Sequence, residues 1–111
     1  LTLGEAAVLV DGVSRGNGKV KVLVEVYAHQ GSMKGGQPHK LMSDAIKLSA
    51  LRMRLEPRPH AVLAVSPEVE RQLAGSWRKE ALAAHDVEVM GVKLSPHEVQ
   101  ELKKTQRKQF R

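Results

Sequence analysis

The sequence predicts an α/β domain in which an antiparallel hairpin and two later parallel strands form one mixed β-sheet flanked by helices. Apolar and polar residues alternate over residues 19 to 28, directly after the turn-forming Gly16-Asn17-Gly18, and this predicts the hairpin. After residue 37 the apolar residues recur with the period of a helix. Two later apolar runs are separated by a second helical segment, and crossovers of this length connect parallel strands.

The elements follow one another in the order β-β-α-β-α-β-α. Strands are predicted at residues 5 to 13 and 19 to 28, and a helix from residue 37 to about 55, where Pro57 and Pro59 prevent its continuation. The remaining elements are a strand at residues 60 to 65, a helix at 67 to 84, a strand at 87 to 94 and a last helix that begins at the capping sequence Ser95-Pro96-His97-Glu98.

The helix predicted at residues 67 to 84 contains the only tryptophan of the chain. Trp77 follows Val69 and Leu73 at helical spacing and precedes Ala81, so the pattern places it in the core. The alternative is an exposed indole on which a nucleobase stacks.

Length and composition indicate one domain over residues 1 to 111, with residues 100 to 111 as a basic helix end or tail. The chain contains no cysteine, which excludes disulfides and thiolate metal sites and fits a reducing cytoplasm. No apolar run approaches the roughly 20 residues of a membrane-spanning helix. We therefore expect a cytoplasmic protein. Because the sequence starts without Met, a processed form and a fragment lacking an upstream helical segment both stay open.

The chain carries a formal net charge of +6, which favours polyanionic partners, nucleic acid first and acidic membrane surfaces second. Five of the nine residues from 103 to 111 are basic. They are either the solvated end of the last helix or an arm that binds nucleic acid with strong salt dependence. The candidate contacts of such an arm are Lys103, Lys104, Arg107 and Lys108.

Two acids on the predicted hairpin are placed to hold a cation. If the loop comprises the three residues 16 to 18, Asp11 pairs with Leu23 and lies diagonally beside Glu25 on the same face. A two- or four-residue loop would place Asp11 on the opposite face. Carboxylates that converge in this way suit Mg²⁺ or Mn²⁺. The alternative is that Asp11 caps a turn before Gly12, and that Glu25 lies on a solvated strand face.

The segment that follows Glu25 concentrates polar side chains at the end of a strand. Its glycines permit close approach of a ligand, and Lys34 and Lys40 can contact phosphates. Gln37 begins the first helix, where free N–H groups favour anions. Further candidate contacts to nucleic acid are His29 and Gln30. A transition-metal site that combines Glu25, His29 and His39 matches no established ligand spacing.

Together these residues resemble a bacterial branch of the PD-(D/E)XK nuclease superfamily. Three residues match its pattern: Asp11 is an acid on one hairpin strand, Glu25 is an acid on the next strand, and Gln37 lies on the following helix. The resemblance covers residues 5 to 94 in element order and is confined to residues 10–12 and 25–47 in detail. It implies a restriction-endonuclease-like fold in which bound Mg²⁺ or Mn²⁺ cleaves phosphodiester bonds, with DNA favoured over RNA.

Two positions depart from the superfamily pattern: Tyr27 stands where a lysine is expected, and Val10 precedes Asp11 in place of a proline. The resemblance then implies that Lys34 or Lys40 supplies the ammonium group, or that Tyr27 donates a hydrogen bond to a phosphate. A site that binds nucleic acid or a protein partner without cutting is the alternative, and Glu5 is a possible extra metal ligand. The implied catalytic residues are Asp11, Glu25, Tyr27, Lys34, Gln37 and Lys40.

Overall fold

The computed structural model describes residues 1–3, 6, 7, 10–27, 29, 31, 33–93, 95 and 97. Two short antiparallel strands, β1 (Thr2–Leu3) and β2 (Ala6–Ala7), precede the central sheet. The strand predicted at residues 5 to 13 is therefore not continuous, since β2 lies near its start and the central sheet begins at Gly12. The central sheet contains four strands in spatial order, namely β3 (Gly12–Gly16), β4 (Lys19–Val26), β5 (His60–Val65) and β6 (Val87–Gly91).

Strand direction confirms the α/β class and the mixed sheet. The strands β3 and β4 pair antiparallel, whereas β4 with β5 and β5 with β6 pair parallel. The whole of β5 is apolar after His60, as expected for a central strand that neighbours cover on both sides. The restriction-endonuclease-like topology stays a prediction.

Three helices connect the parallel strands: α1 (Gln37–Arg54) lies between β4 and β5, and α2 (Pro67–Leu73) and α3 (Trp77–Ala84) lie between β5 and β6. The crossovers from β4 to β5 and from β5 to β6 run in the same direction across the sheet. Because crossovers between parallel strands share one handedness, their helices lie on the same face of the sheet. The buried side chains of all three helices accordingly share one core with Leu23, Leu63 and Val87. Within the described residues, the helices therefore flank the sheet on one face.

The helix predicted at residues 67 to 84 is in fact two helices, because the chain leaves helical geometry at Ala74, where ψ is 127°, and turns through Gly75, where φ is +79°. The N–H of Ser76 donates to the carbonyl of Leu73 and closes the turn between them. This interruption changes the phase of the apolar stripe, so that α3 turns Leu82 into the core. The prediction that Trp77 is a core residue is wrong, since its side chain is 65% exposed.

Candidate active site

The turn of the hairpin differs from the prediction, yet it brings the two acids together. Gly16 pairs with Lys19, so the loop is the two residues Asn17 and Gly18, both with positive φ as a tight hairpin turn requires. A two-residue loop alone would place Asp11 on the wrong face. The register shifts at Ser14, which pairs with Val22, and the extra residue in β4 restores the parity.

Asp11 therefore lies opposite Glu25, and each residue contacts the other strand. The N–H of Asp11 donates to Glu25 Oε1 at 3.0 Å, and the N–H of Val26 donates to Asp11 Oδ2 at 2.7 Å. The second oxygen of Asp11, Oδ1, is buried and has no hydrogen-bond partner among the described residues. A buried, unpaired carboxylate oxygen is costly, so it identifies the place where a ligand would be most strongly bound.

A lysine that the sequence analysis did not consider completes this pair of acids. Lys47 projects from α1 and places its Nζ 3.0 Å from Glu25 Oε2. Glu25 is only 5% exposed, whereas the Lys47 side chain keeps 27% of its surface exposed. The spacing of Lys40, Asp44 and Lys47 along one flank of α1 is the signal that could have predicted it.

The two lysines predicted to supply the ammonium group occupy other places. Lys40 Nζ lies 3.8 Å from Asp44 Oδ2, and 57% of the Lys40 side chain is exposed. Lys34 is exposed in the loop before α1, where its backbone N–H donates to Gln37 Oε1 at 2.6 Å. Of these three lysines, the described contacts place Lys47 against the hairpin acids.

Asp11, Glu25 and Asp44 bring negative charges close together at a partly buried site. Burial raises the pKa of the Glu25 carboxyl, and the charge of Asp11 raises it further, against the hydrogen bond and charge of Lys47. Burial likewise raises the pKa of Asp44. The charges of Lys40 and Lys47 lower this pKa, and the charge of Asp11 raises it. A cation bound among these groups would lower the electrostatic cost of ionising them.

Tyr27 and Gln37 make hydrogen bonds in and next to the loop between β4 and α1. The Tyr27 hydroxyl donates to the Gln37 carbonyl oxygen at 3.4 Å, and its ring lies tilted against the ring of His29 at 5.9 Å. Gln37 Nε2 lies 3.3 Å from His29 Nδ1. Burial, and secondarily the charge of Asp44, raise the pKa of Tyr27. The side chains of Gln37 and Tyr27 thus hold loop groups, and neither is described in contact with Asp11 or Glu25.

A second glutamine, Gln72 of α2, anchors the same loop and was also missed in the sequence. Its Oε1 accepts from the N–H of Met33 at 2.6 Å, and its Nε2 donates to the Met33 carbonyl at 3.1 Å. This reciprocal pair imitates the hydrogen bonding of a neighbouring strand. It ties the loop to a helix from the second crossover.

Replacing Gln72 with alanine should release the loop without unfolding the domain. Two hydrogen bonds are lost at an exposed side chain, so we expect the Met33 amide to exchange with solvent roughly tenfold faster. Hydrogen exchange measures this. Arg71→Ala is the control, because Arg71 is exposed and its described ion pair is with Glu68 at 4.0 Å. Equal exchange in both variants would contradict the anchoring role.

Of the predicted residues that remain, His39 is described and the others are not. His39 is exposed on α1, and Glu5, Gln30, Lys103, Lys104, Arg107 and Lys108 lie outside the described residues. Among the residues that are described, no group of three or more His, Cys, Asp or Glu side chains is arranged to hold a metal ion. No described helix is both long and apolar enough to cross a bilayer.

The opposite flank of α1 forms an apolar groove of about 200 Å³ against α3. Met42, Ile46 and Met53 line one side, and Ala81 and His85 line the other. No carboxylate is among the described residues that line this groove. Comparison of the chain with protein-family models, with curated proteins and with solved structures finds no match.

Proposed function

We propose that this domain is a nuclease-like hydrolase that cleaves phosphodiester bonds of nucleic acid with a divalent cation held by Asp11 and Glu25. The observation that carries the proposal is the buried Asp11 Oδ1, which has no partner among the described residues. Asp11 is hydrogen-bonded to one carboxylate oxygen of Glu25, and the other oxygen of Glu25 contacts the Lys47 ammonium. The resemblance to PD-(D/E)XK nucleases supports the same assignment, because it points to the same two acids. DNA is the favoured substrate and RNA the alternative.

The donor set fits Mg²⁺ or Mn²⁺. Mg²⁺ keeps several water ligands and is commonly held by only one or two protein carboxylates together with substrate phosphates. Asp11 Oδ1 is available, and each oxygen of Glu25 has a second lone pair beyond the hydrogen bonds described. When bound, such a cation polarises a phosphodiester and lowers the pKa of a coordinated water.

The residues of the chain would contribute orientation and charge. Glu25 holds the Lys47 ammonium 3.0 Å from its Oε2, and from there the ammonium can stabilise negative charge that develops on phosphoryl oxygens. In this proposal Lys47 takes the role that the sequence analysis gave to Lys34 or Lys40. Those two lysines, near the start of α1, attract the flanking phosphates of the strand.

A second candidate function is a module on the same scaffold that binds nucleic acid without cutting it. It is favoured by the pairing already present, because three of the four oxygens of Asp11 and Glu25 have partners within the chain. Such a module would bind equally well in Mg²⁺ and in EDTA, and its affinity would fall steeply with salt.

Cleavage assays with plasmid and labelled single-stranded DNA test the first proposal. We expect the wild type to cut in Mg²⁺ or Mn²⁺ and not in EDTA, and Asp11→Asn to be inactive. Asp86→Asn is the control, because Asp86 is an exposed acid that pairs with Arg52 at 3.4 Å, outside the cluster. Absence of cutting with either metal would reject catalysis, and binding that persists in EDTA would then support the second candidate.

A further inference from the structure

The first turn of α3 exposes the only tryptophan of the chain. Trp77 is 65% exposed even though α3 buries Leu82 five residues later. An indole is the largest apolar side chain, and leaving it in water forgoes the stabilisation that its burial would provide. Among the described residues the indole stays largely exposed at the start of α3, so it is accessible to an external ligand.

The residue that follows it adds a positive charge to the aromatic surface. The guanidinium carbon of Arg78 lies 4.8 Å from the Trp77 ring centroid, within the range of a cation–π contact. No carboxylate among the described residues pairs with Arg78, and its Nε is buried without a hydrogen-bond partner. The guanidinium is thus held in place by stacking, and its charge is left for an external anion.

The indole of Trp77 and the guanidinium of Arg78 suit the two parts of a nucleotide, its base and its phosphate. An exposed indole stacks on any base, and an arginine beside it can bind the phosphate of the same strand. The net charge of +6 favours a polyanion over an uncharged protein surface, and beside Arg78 the first turn of α3 exposes one base, Lys79, and one acid, Glu80. A base within a duplex is stacked on both faces and cannot reach the indole, so the ligand is single-stranded.

We infer that Trp77 and Arg78 form a platform on which a base of single-stranded nucleic acid stacks, apart from the acidic cluster on the hairpin. The inference rests on the proposed function only in taking nucleic acid as the partner. It does not require cleavage, because binding to the platform needs no metal.

Fluorescence offers a direct test, since Trp77 is the only tryptophan. The full chain is titrated in EDTA with single-stranded oligonucleotides and with a duplex of the same length, and binding is followed by anisotropy of a label on the DNA. We expect the single strand to quench tryptophan emission in step with anisotropy, and the duplex to leave it unchanged. Trp77→Ala should weaken single-strand binding roughly tenfold, and Trp77→Phe should recover part of that loss.

A matched control separates stacking from general loss of apolar surface. Ile46 is also 65% exposed, and Ile46→Ala should bind the single strand like the wild type. Unchanged emission at saturating anisotropy, wild-type affinity of Trp77→Ala, or absence of single-strand binding would each overturn the platform. If single-stranded DNA quenches tryptophan emission but the protein does not cleave DNA, only the nuclease proposal is rejected. If the protein cleaves DNA with metal but its tryptophan emission does not change on binding, only the platform is rejected.

Discussion

Lys47→Met is expected to lower the rate of phosphodiester cleavage by about two to three orders of magnitude and to destabilise the domain. The rate falls because the ammonium 3.0 Å from Glu25 Oε2 is lost, and one such stabilising group contributes about 10²–10³ in rate. Stability falls because Glu25, only 5% exposed, keeps its charge without a partner. Since Lys47 is partly exposed and Glu25 can take up a proton, we expect a loss of about 1–3 kcal/mol.

Single-turnover cleavage and urea unfolding measure the two effects. Lys40→Met is the matched control, because Lys40 lies on the same flank of α1, pairs with Asp44 at 3.8 Å and is more exposed. Its effect on stability should stay within about 0.5 kcal/mol, as expected of an exposed ion pair. If Lys40→Met or Lys34→Met abolished cleavage while Lys47→Met did not, the catalytic assignment of Lys47 would be wrong.

Glu25→Gln is expected to abolish cleavage, with a loss of roughly 10³-fold or more, and to leave the metal-free domain at least as stable as the wild type. The rate falls because the variant loses a proposed metal ligand and the group that orients Lys47. Stability is retained because burial raises the pKa of Glu25 above its ordinary value of 4.5, so folding favours the neutral form that glutamine imitates.

The pH dependence of stability has a definite sign. The folded state holds a proton on Glu25 more tightly than the unfolded chain, so this carboxyl stabilises the fold at acid pH. That contribution is lost as the pH rises from 4.5 through the raised folded pKa. Unfolding in EDTA between pH 4 and 8 should therefore show a shallower decrease for Glu25→Gln than for the wild type.

A double variant separates the ion pair from its components. If Lys47→Met is destabilising because it strands the charge of Glu25, adding Glu25→Gln should remove most of that loss. Glu88→Gln, at an exposed acid of β6, is the control and should neither rescue Lys47→Met nor alter cleavage. If Glu25 and Lys47 formed only a structural ion pair, Glu25→Gln would destabilise the fold as much as Lys47→Met does. The Glu25→Gln variant would then also cleave nucleic acid at the wild-type rate.

Much of the fold could be predicted from local patterns. The helical period and the prolines placed α1 at residues 37 to about 55, close to the observed Gln37–Arg54, and the apolar run at residues 60 to 65 is β5. The meeting of Asp11 with Glu25 was predicted, but with a three-residue loop. The structure reaches the same face through a two-residue loop and an extra residue in β4. Periodicity alone does not reveal such a bulge, because it depends on which strand residues pair.

The sequence by itself determined the α/β class and the order of the main elements as far as β6, because these depend on local period and turn chemistry. Of the last helix, predicted from Ser95 onward, only residues 95 and 97 are described. Only the tertiary structure decided which lysine meets Glu25, which glutamine anchors the loop and whether Trp77 is buried. Lys47, Gln72 and Trp77 belong to helices whose rotation against the sheet depends on the packing of distant apolar residues. Neighbours in the chain do not determine that rotation. Local patterns indicate a shared flank, as for Lys40, Asp44 and Lys47, but they do not show which side chain reaches Glu25.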